Sequence, residues 1–486
     1  MADASFRPPR LGVGMVFAPA LRPFLERRPD ALDLLEVEPQ TLWIADDPFA
    51  GPFFEFTPGI EMIAALPGAK LVHSVGMPLG GTRAPEPAQM RLIRATAERL
   101  GSPWVSEHLS VAGTPHRAAG FLLPPVQTEA GVAQAAANIR AFAEGVGRPV
   151  AVETGVAYLR RKPFEMHDGD FLAAVAEEAD CGLLLDLHNL WCNEVNGRVP
   201  MDEVLARVPL DRVWEVHLAG GEARDGFWLD SHSGPMPAAL ADRAAEILGS
   251  LPDLGALNFE IYDSFLDDLA PGEFDRIVDS LRDLWEGAGR ARSDAPPICS
   301  AARHPEVPPT APEAWEEGLT DAVWQDRPER HGWAEDAPAL HLYAALARSF
   351  RGSMLVRTLP RTIRYLLLRD GAGMTARLER FFTDRPPRLY APLEAASFAD
   401  WLRSEGEDDA LALALLDYDS AFLAILRHGE ARVVRFPGDP APVFEALAAN
   451  RLPRCPDGPP WDIEILPDGF TVQDFAASAA SFAPRA

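Results

Sequence analysis

Three residues in the stretch from Val213 to His232 have the types and spacing of metal ligands. His217 lies in an apolar run that reads as a buried β-strand. Asp230 and His232 stand two apart, the spacing that sends both side chains the same way in an extended chain. Neutral imidazole together with carboxylate is a ligand set that suits iron, zinc or manganese. The competing reading is a capped loop beside a hydrogen-bonded core histidine, and the rest of the sequence weighs between the two.

The elements around these residues repeat. From residue 11 to about 262, short β-rich runs alternate with amphipathic helical stretches. The expected strands are Leu11–Phe17, Leu32–Val37, Lys70–Ser74, Trp104–His108, Val150–Glu153, Gly182–Leu187, Val213–Leu218 and Leu257–Tyr262. Helical stretches such as Pro87–Leu100, Glu129–Val146, Asp170–Glu178 and Pro237–Leu248 fall between them. Eight such units spell an α/β fold of the TIM-type (β/α)8 barrel. In that fold chemistry sits where each strand ends and its loop begins, and this sequence puts metal-ligand types there again and again. Strand two ends with Glu36 and Glu38, strand three with His73, strand four with His108 and strand five with Glu153. Strand six ends with Asp186, His188 and Asn189, strand seven with His217 and strand eight with Glu260. Gathering so many carboxylates and imidazoles out of water is costly unless cations compensate them, and their number suggests more than one ion.

Other polar residues read as structural. His116 lies in a GTPHRAAG loop, and His167 lies in a turn before a helix where Asp168 is the expected N-cap. His188 and Asn189 compete for one position at the end of strand six. The Gly-rich stretch at Gly220 and Gly221 is a βα loop and not a phosphate cradle, since no GxGxxG helix follows it.

Beyond Trp285 a segment rich in Pro, Ala and Arg, residues 291–312, reads as a linker between a barrel domain over 9–290 and a smaller α+β domain over 313–486. In the second half, Leu340–Phe350, Met354–Arg369, Met374–Phe382 and Phe398–Ser404 carry helical periodicity. Ala410–Leu416, Ser420–Arg427 and Ala431–Phe436 read as short strands, with a helix near Pro442–Ala449. This half has no ligand cluster, so its expected job is peptide binding, with a sheet edge open to an extended chain. The net charge of −27, with 45 Lys+Arg against 72 Asp+Glu, argues against nucleic acid as a partner. Four cysteines without CxxC or framework spacing, and no apolar span or leader pattern, point to a cytoplasmic protein without a membrane partner.

Taken in order, HSVG at His73, SEHLS at His108, VETG at Glu153, LLLDLHNLW from Asp186, VHLAGG at His217, DSHSGPMP at Asp230 and FEIYD at Glu260 resemble one family. It is the multinuclear non-heme iron-dependent oxidative enzymes, which modify ribosomally made peptides, including the methanobactin precursor. The resemblance covers about residues 9–290. It implies a TIM barrel holding two or three irons on His73, His108, Glu153, Asp186, Asn189, His217, Asp230, His232 and Glu260, with O2 as co-substrate and a ribosomal precursor peptide as partner. The second half is similar in architecture to the separate partner proteins of that family, here fused. Some positions depart from the family pattern. Gln40 and Thr41 replace a Glu-Asn pair, Thr154 an asparagine and Gly221 a histidine. These changes concern the substrate pocket more than the ligand core.

The resemblance implies oxidative modification of a peptide at a cysteine or at a residue near its C-terminus. Two other classes use the same residues. A divalent-metal barrel hydrolase or isomerase would hold zinc or manganese on them, and a non-catalytic metal or peptide binder would fill every coordination position with protein. Oxygen consumption separates the first rival from an iron oxidase.

Overall fold

The computed structural model describes residues 6–45, 51–266, 269–288, 310–328, 333–456 and 458–466. Eight parallel strands close into a barrel: β1 (Gly12–Val16), β2 (Leu34–Val37), β3 (Ala69–Ser74), β4 (Val105–His108), β5 (Val150–Glu153), β6 (Gly182–Asp186), β7 (Val213–Ala219) and β8 (Ala256–Glu260). Each strand pairs with its sequence neighbours, and β8 returns to β1 with Gly12 opposite Ala256. Every barrel strand read from the sequence is present, with ends differing by no more than two residues.

Side-chain alternation explains how these strands build a functional mouth on an apolar base. Residues two apart on a strand face the same side. Leu34, Leu71, Trp104, Ala151, Leu184 and Ala256 form one buried apolar cluster toward the strand starts. Two residues further on stand Glu36, His73, Ser106, Glu153, Asp186 and Asn258, all buried. The register sets these ends at one level, pairing His108 with Glu153, Asp186 with His217 and Ala219 with Glu260. Gly14 on β1 leaves room for this layer, because a Cβ there would come within 2.5 Å of Asn258 Oδ1 and of Leu34.

Helices Pro87–Leu100 and Glu129–Val146 have the bounds their periodicity predicts, capped by Glu86 and Thr128 side chains and ended by left-handed Gly101 and Gly147. The helix Asp168–Ala179 corrects the expected cap. His167 is the N-cap and accepts from the Gly169 amide at 3.2 Å, which puts Asp168 at the first helical position.

After the barrel the chain is mainly helical. The linker expected over 291–312 lies largely outside the described residues. The two strands expected over Ala410–Leu416 and Ser420–Arg427 are a single helix, Ala410–His428, capped by the Asp409 carboxylate and stopped by left-handed Gly429. The run LALALL alternates like a strand, yet Leu411, Ala412, Ala414, Leu415, Leu416, Asp419, Ala421 and Ile425 are buried, which does not follow a period of two. Helix-forming Leu and Ala outweigh the local alternation. The expected strand at Ala431–Phe436 is present as Arg432–Phe436, paired antiparallel with Trp461–Ile465.

Two apolar clusters organise this part. One lies within residues 355–465, where buried Arg351 beside it pairs with Glu394 at 2.6 Å and donates to the Phe382 and Arg385 carbonyls. The other is shared with the barrel. Trp315, Leu319 and Tyr343, from helices Pro312–Gln325 and Ala337–Thr358, pack with Val111, Leu123, Tyr158 and Leu229 from loops at the barrel mouth. No described helix is long and apolar enough to cross a membrane.

Candidate metal centre

His73 at the end of β3 is buried, with Nδ1 on Ser106 Oγ at 2.9 Å, so Nε2 turns to Glu153 Oε2 at 3.3 Å. His108 at the end of β4 presents Nε2 to the same oxygen at 3.0 Å, while Nδ1 lies 3.3 Å from Glu107 Oε1. Burial alone would lower the His108 pKa, but the Glu153 and Glu107 carboxylates overcome it and lift the imidazole to about 9. His73, His108 and Glu153 form one group whose ligand atoms lie within 4.8 Å of one another.

A second group of the same compactness holds Glu153, Asp186, His217 and Glu260. Asp186 ends β6 and caps the next helix, Leu187–Val195, with one oxygen accepting the Asn189 amide at 2.8 Å. The side chain of Asn189 donates to the Thr154 carbonyl at 3.0 Å and lies 3.4 Å from Glu153 Oε1, which turns its own oxygen inward. His217 directs Nδ1 toward Glu260 Oε1 at 3.4 Å and Nε2 toward Glu36 Oε2 at 3.2 Å. Glu260 reaches the third pair with its other oxygen, 3.3 Å from His232 Nε2, and that nitrogen is 3.1 Å from Asp230 Oδ1. Of the three residues first singled out, Asp230 and His232 therefore meet directly, and His217 reaches them through Glu260.

The strand-face reasoning for Asp230 and His232 is corrected. The hairpin Glu222–Arg224 with Phe227–Leu229 ends at Leu229, where the ladder runs out of partners opposite Glu222. Asp230 and His232 lie beyond it in a loop, with His232 in the left-handed region at φ 46. Hydrogen bonds from Ser233 to the Gly220 carbonyl and from Tyr262 to the His232 carbonyl, both 3.1 Å, anchor the loop over the mouth.

His188 and Asn189 differ in what their polar atoms meet. Trp228 Nε1–H donates to His188 Nε2 at 3.2 Å, and His188 Nδ1 meets Asp230 Oδ1 at 2.9 Å. Both ring nitrogens are engaged, whereas Asn189 Oδ1 is buried without a partner. His116 is exposed in the turn between Val111–Thr114 and Arg117–Leu123, and His167 caps its helix.

Whether the residues fit a metal can be tested on their unused atoms. Glu153 Oε2, Asp186 Oδ2, Asn189 Oδ1, His217 Nδ1 and His232 Nε2 are all buried, and none makes a hydrogen bond of acceptable geometry despite the close approaches above. Buried polar atoms are nearly always satisfied, so five orphans converging on one mouth are what a cation would resolve. Burial and the neighbouring Asp230, Glu153 and Glu260 carboxylates push the Asp186 carboxyl well above its ordinary range. Burial would also raise Glu260, but His232 and His217 outweigh it and hold that carboxyl at about 2. The oxygen and nitrogen donors fit iron, zinc or manganese.

Sequence reasoning passed over several supports. Glu215, one residue beyond the bulge where β6 meets β7, accepts from Trp104 Nε1 at 3.0 Å and from Asn258 at 2.7 Å. Glu36, read as a strand-end carboxylate, lies one residue before the end of β2 and meets His217 Nε2 at 3.2 Å. Tyr262, half exposed, sets its ring 4.8 Å from that of His232. For Glu36 and Glu215 the inward alternation of β2 and β7 was the available signal.

Residues 12–257 match the family described as RiPP precursor modification enzyme MbnB/TglH/ChrH. A UPF0276 protein of Streptomyces avermitilis is 30% identical over 286 residues, covering 57% of this chain and 56% of that protein. A UPF0276 protein of Chromobacterium violaceum is 32% identical over 209 residues, covering 43% of this chain and 75% of that protein. The chain thus spans little more than half the length of the Streptomyces relative. Among solved structures, a D-psicose 3-epimerase from Clostridium cellulolyticum H10 with D-tagatose aligns with 58% of this chain and 100% of its own, at 12% identity and a TM-score of 0.38.

Proposed function

Because this chain belongs to the family of RiPP precursor modification enzymes described as MbnB/TglH/ChrH, we propose that it oxidises a ribosomally synthesised precursor peptide with O2 at a multinuclear non-heme iron centre. The modified position is a cysteine or a residue near the peptide's C-terminus. The observation that carries the metal reading is the convergence of orphaned atoms on Glu153, Asp186, Asn189, His217 and His232. His73, His108, Glu153, Asp186, Asn189, His217, Asp230, His232 and Glu260 are the proposed ligands. Glu153 belongs to two of the compact groups, and the two oxygens of Glu260 face different imidazoles. These residues would hold two or three ions. Iron bound there supplies the redox chemistry with O2 that protein side chains lack.

The chain's own residues do the positioning. Ser106 fixes the ring of His73, Glu36 that of His217 and Trp228 that of His188, each through the nitrogen turned away from the mouth. Residues 313–486 are proposed to hold the precursor peptide in place of a separate partner protein. The two-stranded sheet Arg432–Phe436 and Trp461–Ile465, with Val433 and Trp461 exposed, offers an edge for an extended segment.

The test loads the purified chain with ferrous iron without oxygen and adds the peptide encoded by a short reading frame beside its gene. Oxygen is then admitted, and peptide mass and O2 uptake are followed together. A mass change coupled to O2 uptake is expected. A metal-dependent change without O2 would move the protein to the hydrolases or isomerases.

A further inference from the structure

The helix Ala337–Thr358 reaches the candidate metal centre through two tyrosines. Tyr343, on that helix and fully buried, sets its hydroxyl against the loop that follows β5. The hydroxyl accepts the Tyr158 amide N–H at 3.1 Å and donates to the Val156 carbonyl at 3.5 Å. Tyr158 in turn accepts the Asp230 amide N–H on its own hydroxyl at 3.2 Å. Its ring stands between two others, edge to face with Tyr343 at 5.3 Å and with Phe227 at 6.0 Å. The same loop is pinned from the barrel side by Asn193, which accepts from the Ala157 amide at 2.7 Å and donates to the Gly155 carbonyl at 3.3 Å.

Asp230 lies past the end of its hairpin, so no ladder holds its amide, and Tyr158 supplies the missing acceptor. Tyr158 is itself held between Asn193 and Tyr343. The region after the barrel therefore contributes to the placement of a residue at the mouth.

We propose that Tyr343 is a positioning residue for the metal centre: through Tyr158 it fixes the backbone at Asp230, so the helix Ala337–Thr358 completes the centre as well as serving substrate. The inference rests on the reading of Asp230 as a ligand. Removing either hydroxyl leaves a buried amide without its partner, and the loop must shift to find another. Groups that orient metal ligands from behind typically affect affinity about 10- to 100-fold. A merely adhesive contact would not do so. Trp315 provides the comparison, since it crosses the same shared core and donates to the Pro124 carbonyl at 2.9 Å without a hydrogen-bonded path to Asp230.

The experiment titrates ferrous iron, without oxygen and against a competing chelator, into the full chain and its Tyr343→Phe, Tyr158→Phe and Trp315→Phe variants. Mössbauer spectra and unfolding midpoints are recorded alongside. Both tyrosine variants should bind one iron equivalent about 10- to 100-fold more weakly, with a changed spectrum for that iron. Trp315→Phe should keep wild-type affinity even though its unfolding midpoint falls. Wild-type affinity in Tyr343→Phe, or an equal loss in Trp315→Phe, would overturn the inference while leaving the metal reading intact. A wild-type chain that binds no ferrous iron would overturn both.

Discussion

Trp228 donates its indole N–H to His188 Nε2 at 3.2 Å, which leaves His188 Nδ1 as the proton-bearing nitrogen facing Asp230 Oδ1 at 2.9 Å. The space for this contact comes from Gly221. A Cβ there would lie 2.7 Å from both Trp228 Nε1 and His188 Nε2 and 2.4 Å from the Leu229 carbonyl oxygen. The departure from the family pattern at position 221 is therefore not a simple loss, because an indole occupies the room that a larger residue would need.

Gly221→Ala should destabilise the protein by about 1–3 kcal/mol, the usual cost of overpacking a filled site. Backbone as well as side chains would have to move. A lowered midpoint in thermal unfolding, with Trp228→Phe falling less, checks this; a midpoint equal to wild type would show that the loop yields freely.

Metal removal should act on stability as well as on activity. A ligand that binds only the folded chain adds about 2.7 kcal/mol when present at a hundred times its dissociation constant. Stripping the centre also leaves Glu153, Asp186 and Glu260 together without a cation. Chelation should thus lower the unfolding midpoint, and ferrous iron should restore it. The His232→Ala and His73→Ala variants should each lose part of the bound iron in elemental analysis, since their nitrogens belong to different groups. Full iron content in both would sink the assignment.

Much of this was legible in the sequence because a barrel strand is a short, regular object. Period-two alternation and apolar content were enough to locate all eight strands, and the fold itself says that their ends share one mouth. What escaped notice depended on tertiary context. Asp230 and His232 are brought together by a left-handed turn anchored at Gly220 and Tyr262, which no strand pattern encodes. The partners of His188 were also out of reach of the sequence pattern, because the donor to its Nε2 is Trp228, forty residues on. The helix Ala410–His428 was misread because LALALL satisfies two periods at once, and only packing against its neighbours chooses between them.

Far from the mouth, Glu407 makes the chain acid-sensitive. Hydrogen bonds from Arg369 hold its carboxyl at about 2 against an ordinary 4.5, with burial opposing and Arg377 adding to the effect. A depressed carboxylate contributes stability that is full above 4.5 and lost as pH falls through about 2. Glu407→Gln should therefore unfold at a lower temperature than wild type above pH 5, and the gap should close toward pH 2. A gap that does not change with pH would place the effect in packing and not in charge.

The last expectation concerns the floor of the centre. His217 can offer Nδ1 to a metal only if Nε2 carries the proton, and Nε2 faces Glu36 Oε2 at 3.2 Å. The same oxygen accepts from Asn258 Nδ2 at 2.9 Å, while Glu36 Oε1 has no hydrogen-bond partner. A glutamine at 36 can therefore accept both donors on its oxygen and put its amide nitrogen where Oε1 now stands. It preserves both hydrogen bonds and the orientation of His217, and little charge is lost, because burial, opposed by His217 and reinforced by Glu215, pushes the Glu36 carboxyl well above its ordinary range. Alanine removes both hydrogen bonds, leaving two buried donors unpaired at about 1–3 kcal/mol each. Iron affinity should then stay near wild type in Glu36→Gln and fall about 10- to 100-fold in Glu36→Ala. Competition with a chelator of known affinity measures the series. If Glu36→Ala binds as tightly as wild type, His217 is oriented by the barrel wall alone and the carboxylate beneath it is not needed for binding.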